Sequence, residues 1–223
     1  MTEPRQQPGN AIRADRAHRV AQLPPALRQL HRAILRHFAR IGRAPSRAEI
    51  DSAAHAAGLD PAAALQALAA DDLIAVDHAG RLLAAYPFSP TSTGHQVSLP
   101  TVSVQAMCAI DALGTPYMLD VDAVITSTDP HNGAPIQVAV TGGMPAFQPA
   151  DTVVVYAATP VTGRSVDTCC STINFFTHPS SAQAWITAHP GLAATILSQD
   201  QAVTLGRDIF ESLLRDNRGL SPA

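Results

Sequence analysis

The feature that most constrains the fold is a change in the period of the apolar residues. Up to about residue 71 they recur every three or four positions, and from residue 73 onward they gather into short runs rich in β-branched side chains. Leu27, Leu30, Ile34, Phe38 and Ile41 form one helical stripe, which Gly42 and Pro45 end. Ser46 with Glu49 is a capping-box pair opening a second helix, closed by Gly58. Asp60 and Pro61 supply the N-cap and first-turn residue of a third, running through about Asp71. Residues 73–76 and 81–85 then flank Asp77, His78, Ala79 and Gly80, which read as a hairpin turn. Three helices and a hairpin predict a winged-helix-like module over 23–86. Residues 1–22 precede it as a flexible tail, without apolar periodicity and with Pro4, Pro8 and Gly9.

Residues 87–100 are rich in Ser, Thr and Pro and read as a linker to a second domain at 101–223. In that domain, residues 102–107 run into a short helix around 108–113, stopped by Gly114 and Pro116. Residues 121–127 and 136–141 read as strands on either side of a turn at Pro130, His131, Asn132 and Gly133. Two further strands are expected at 152–157 and 168–176. Ser180 opens a helix containing Trp185. Ser198 with Gln201 opens a last helix, with Ala202, Leu205, Ile209 and Leu213 on one face. The expected fold class is therefore α+β: a winged-helix-like three-helix module with a hairpin, then a mixed or antiparallel sheet domain with flanking helices.

Composition narrows the function classes. Hydrophobic residues are 46% of the chain and charged residues 15%, enough for a packed core. No apolar run is long enough to span a bilayer, and the Arg-, Gln- and Pro-rich start lacks the apolar stretch of a secretory signal. The expected location is the cytoplasm, with no membrane partner. The net charge of −3 gives no general argument for nucleic acid. The third helix, which would read bases in a helix-turn-helix protein, is mostly Ala and Leu. Gln66 is its only polar reader, and Asp71 and Asp72 end it, which phosphates would repel. Arg28, Arg32, Arg36 and Arg40 stack along one face of the first helix and read as a solvated face opposite the core stripe, with a docking surface for an acidic partner as the alternative. No nucleic-acid partner is expected.

Three cysteines, Cys108, Cys169 and Cys170, do not make a disulfide framework. No Cys and His set has the spacing of a zinc site, and His131 and His178 sit in turn signals at the surface. Cys108 and Asp111 are three residues apart and share a face if their segment is helical. The carboxylate can then accept a thiol proton when a soft cation takes the sulfur, and later return it. Packing of Cys108 in a core is the plain alternative. Cys169 and Cys170, in a strand, would point to opposite faces. Either one sulfur meets a site or both are small buried hydrophobes.

The run Tyr86, Pro87, Phe88, Ser89, the segment from Met107 through Cys108, Ala109, Ile110, Asp111, Ala112 and Leu113 to Gly114, and the pair Cys169 and Cys170 followed by Asn174, Phe175 and Phe176 together resemble the alkylmercury (organomercurial) lyases. The resemblance covers most of the chain after about residue 25. It implies catalysis by Cys108, Asp111 and Cys169, with Cys170 in a supporting role. Mercury would be held by Cys108, Cys169 and Asp111 as substrate and as product Hg(II), and no cofactor would be required. It implies as partners an organomercury compound, cellular thiols as external carriers, and a mercuric reductase. Met107, Ser171 and the lack of a cysteine between the two sites depart from some relatives and bear on substrate preference and stability. The competing readings of the residues are a thiol-based metal-responsive winged-helix regulator and a non-catalytic soft-metal-binding protein.

Overall fold

A computed structural model describes residues 16–158, 164–168 and 170–215. Four helices come first: α1 (Arg16–Gln22), α2 (Pro25–Ile41), α3 (Arg47–Ala56) and α4 (Pro61–Ala70). The start and stop signals act as read. Ser46 and Glu49 form a reciprocal capping box, the Asp60 side chain accepts from Ala63 N, and Gly42 closes α2 in the left-handed conformation at φ 78°. The buried face of α2 is Leu30, His31, Ile34, Leu35 and Phe38, whereas Ile41 is exposed. Of the expected tail, residues 1–15 lie outside the described residues. Residues 16–22 form α1 instead, because Arg16 and Val20 are buried against the rest of the molecule.

The strands follow. β1 (Ile74–Val76) and β2 (Leu82–Ala85) make the expected hairpin. Residues 87–100, expected as a linker, carry β3 (Phe88–Ser89) and β4 (His95–Ser98). Both lie inside one eight-stranded sheet of order β1-β2-β3-β5-β4-β6-β7-β8, with β5 (Ser103–Ala106), β6 (Ala123–Thr128), β7 (Pro135–Thr141) and β8 (Met144–Gln148). Every neighbouring pair is antiparallel. Phe38 of α2 stacks on Phe88 of β3 with ring centroids 5.2 Å apart. One apolar core accordingly runs from Leu30 and Phe38 through Phe88 and Val138 to Ile110 and Phe210.

A smaller antiparallel sheet, β10-β9-β11, comprises β9 (Val153–Ala158), β10 (Asn174–Phe176) and β11 (Ala193–Leu197). Strand alternation lets β9 serve two cores. Val154 and Tyr156 enter the main core. Val153, Val155 and Ala157 pack with Phe176 and Trp185 under α7 (Pro179–Ala188). His178, not Ser180, caps α7, accepting from Ser180 N through Nδ1. The strand expected at 168–176 is broken up: α6 (Ser165–Thr168) and a 3-10 turn at Cys170–Thr172 precede β10. The last helix, α8 (Gln199–Phe210), carries the expected Ser198–Gln201 capping box.

The helix expected to stop at Gly114 does not. It is α5 (Ala109–Leu119), and it continues through both Gly114 and Pro116. Pro116 removes one backbone bond, yet every residue from Ala109 to Met118 is buried, so packing holds the helical path. Gly114 is the contact point. A Cβ there would lie 2.3 Å from Phe210 Cδ2 and 2.7 Å from Gly206 O, so the two glycines let α5 and α8 cross closely. Among the described residues, no helix is long and apolar enough to cross a membrane.

Candidate active site

The chain leaves β5, crosses Met107, whose N–H donates to Pro87 O at 2.9 Å, and reaches Cys108 in an extended conformation. Cys108 is the N-cap of α5, and its Sγ accepts from Asp111 N at 3.5 Å. A backbone N–H and the positive end of a helix are thus directed at the sulfur. Asp111 sits on the first turn of the same helix. Both side chains are fully buried. Thr115 Oγ donates to Asp111 O at 2.8 Å, which steadies that turn from below. Cys108 therefore lies just outside the helix as its cap, and its sulfur meets the backbone N–H of Asp111 on the first turn.

Ala109 N donates to Ile173 O at 3.1 Å, which ties the start of α5 to the segment just beyond Cys170. Cys170 is buried in the main core. It lies in the 3-10 turn, so the opposed-faces geometry expected of a strand does not apply to it. Cys169 lies outside the described residues. Its chain neighbours Thr168 and Cys170 end α6 and begin the 3-10 turn. Among the described residues no group of three or more His, Cys, Asp or Glu is arranged to hold a metal ion.

Sequence reasoning missed His95. It lies on β4, inside the supposed linker, and is buried. Its Nδ1 is 3.0 Å from Ser127 Oγ and its Nε2 is 3.2 Å from Asn174 Oδ1. Asn174 in turn donates from Nδ2 to Ser171 O at 3.1 Å. Burial pushes the His95 imidazole down to about 4, opposed by its hydrogen bond to Asn174, so the ring is neutral near pH 7. His95 thus orients the turn that contains Cys170. No local signal could have found it, because its partners are 32 and 79 residues away. His131 and His178 are exposed, as expected.

The Arg ladder of α2 is not uniformly solvated. Arg28 donates to Leu23 O at 2.9 Å, and Arg32 donates to the carbonyls of Leu213 and Arg215, whereas Arg36 and Arg40 are exposed. Gln66 of α4 is exposed, but Asp72, just beyond that helix, turns inward onto Arg16 and Ser165.

The chain is similar to proteins of known family. The chain is 29% identical to an alkylmercury lyase of Bacillus cereus over 135 residues, covering 60% of this chain and 61% of that protein. It is 28% identical to one of Staphylococcus epidermidis over 137 residues, covering 61% and 62% of the two chains. With the Pseudomonas putida alkylmercury lyase it shares 29% identity over 126 residues, or 56% and 58% of the chains. The matched stretch thus spans about three fifths of these curated relatives. The crystal structure of the mercury-bound form of MerB2 superposes with a TM-score of 0.73 at 24% identity, covering 92% of this chain and 98% of that one, and establishes a common fold. The alkylmercury lyase family model matches residues 88–211, more than half of the chain and the whole of the segment from β3 through α8, and on that match the chain belongs to the alkylmercury lyase family.

Proposed function

We propose that this protein is an organomercurial lyase that cleaves the carbon–mercury bond by protonolysis, giving a hydrocarbon and Hg(II), in mercury detoxification. The observation that carries this reading is the buried pairing of Cys108, at the N-terminus of α5, with Asp111 on the same turn. Mercury is a soft cation and thiolates are its natural ligands. One of Cys108 and Cys169 displaces the carrier thiol from R–Hg. The other thiolate adds and raises electron density on the metal-bound carbon. Asp111 holds a proton taken from one of the two thiols and delivers it to that carbon as general acid. The C–Hg electron pair becomes the new C–H bond. The second thiol proton leaves with the displaced carrier. Hg(II) remains on the two sulfurs until external thiols or a mercuric reductase take it.

In this reading mercury is substrate and product, and no cofactor takes part. Cys170, buried in the same core as Cys108, has a supporting role. The helical unit at 23–86 is winged-helix-like in architecture but serves the chemistry of 101–223 rather than nucleic acid. The protein works in the cytoplasm, where thiols carry its substrate. The test is a single-turnover experiment on Asp111→Ala. Mercurial capture close to that of the parent, with hydrocarbon release slowed by about a hundredfold or more, is the expected result for loss of a general acid. Release at the parental rate would assign the proton to another group.

A further inference from the structure

The segment entering Cys169 is fastened to the helical unit through an ion pair between buried Arg16 and partly exposed Asp72. Asp72 follows α4 in a left-handed conformation at φ 50°. Its carboxylate accepts from Ser165 Oγ at 2.5 Å and from Ser165 N at 3.2 Å. Arg16, fully buried, lies 3.4 Å from the same carboxylate and 3.3 Å from Asp72 O, with Ser165 Oγ 3.5 Å away. Its guanidinium stacks over the Tyr86 ring at 4.1 Å. Arg164 adds a bond to Val76 O at 3.1 Å, at the end of β1.

The segment leaving Cys169 is fastened elsewhere. Cys170 packs in the core, Thr172 Oγ donates to Ala157 O at 2.8 Å, and Ile173 O accepts from Ala109 N. The upstream anchor is therefore the helical unit, and the downstream anchor is the start of the Cys108 helix. For stability alone an apolar pair would serve as well as a part-buried ion pair. What the carboxylate adds is direction, because it grips both the backbone and the hydroxyl of one residue, Ser165.

We infer that Asp72 and Arg16 are positioning residues for carbon–mercury cleavage: through Ser165 they fix the chain that enters Cys169, so the helical unit contributes to the reaction without touching substrate. This inference rests on the lyase reading with Cys169 as a reacting thiolate. With Cys108 as the thiolate that takes the mercurial first, capture does not require the clamp, and the two-thiolate step does.

The test uses the full chain with Ser165→Ala and, separately, Asp72→Asn, since Asn tolerates a left-handed backbone. Three readouts are compared with the parent: mercurial capture, single-turnover hydrocarbon release, and amide hydrogen exchange over residues 165–172. Misplacement of a reacting group by a fraction of an ångström predicts release slowed by about tenfold, with capture changed by less than about twofold. Exchange over 165–172 is expected to accelerate by about tenfold while the core strands stay protected. Parental release despite faster exchange, or unchanged exchange in both variants, would overturn the inference. So would an equal fall in capture and release with loss of core protection, which marks general unfolding. If the parent itself releases no hydrocarbon, the lyase reading fails, and the exchange data alone then decide whether the clamp exists.

Discussion

At the scale of single residues, two of the three proposed reacting groups belong to one helical turn. Cys108 takes the N-cap position and Asp111 the first turn, so the sulfur and the carboxylate come from the same rigid element. Their roles separate by substitution. Cys108→Ala is expected to abolish cleavage of methylmercury, measured as methane release. Cys170→Ala is expected to retain much of the activity, because Cys170 fills the core as a small hydrophobe. Substantial turnover by Cys108→Ala would refute the assignment. The spacing of Cys108 and Asp111 made this pair legible in the sequence. His95, Asp72 and Ser165 were not legible. They act through bonds spanning 79 and 93 residues, which no local pattern encodes.

At the scale of elements, legibility follows the range of the forces. Capping boxes at Ser46 and Ser198 were readable because each closes within three residues. The stop expected at Gly114 and Pro116 failed because burial on all sides outweighs local breaking signals. β8 and β11 were missed because both are edge strands with little buried surface, and Pro145 in β8 reads as a loop residue, although an edge tolerates it. The strand expected at 168–176 failed because the anchors on either side of Cys169 fold the chain into short turns instead. The crossing of α5 and α8 gives a sharp prediction. In Gly114→Ala the new methyl meets the ring of Phe210 and the backbone of Gly206. Overpacking of this kind costs about 1–3 kcal/mol, and urea unfolding should read it. Parental stability in that variant would mean that the crossing is looser than the geometry implies.

At the scale of the whole molecule, the helical unit and the sheet share one core, so the unit is packed as part of a single body. Two buried histidines make stability depend on pH. Burial, reinforced by the charges of Arg16 and Arg32, pushes His31 down to about 3, and burial pushes His95 down to about 4. Both are neutral when folded, whereas in the unfolded chain they take up protons below about pH 6.5. Unfolding then binds protons, so stability falls as pH drops from about 6.5 toward 4. Asp129 acts at lower pH. Burial raises its carboxyl, but N–H donors from Thr177 and His131 and the hydroxyls of Ser181 and Thr177 outweigh that and hold it below the ordinary range. Its contribution is present above the usual aspartate range and is lost only as pH falls through it. The two histidines together predict a fall of roughly 2 kcal/mol in unfolding free energy between pH 6 and pH 5. Denaturant titration at the two values checks this, and a flat profile would place both rings in contact with water.

Cleavage as proposed moves a proton from the site to the metal-bound carbon. Incubating the protein with methylmercury and excess thiol in deuterium oxide tests it most directly, with the gas analysed by mass spectrometry and inorganic mercury assayed in parallel. Monodeuterated methane and Hg(II) are expected in equal amounts over many turnovers. Stoichiometric capture of methylmercury with no methane would contradict this proposal, and would leave a protein that binds a soft metal without cleaving its bond to carbon.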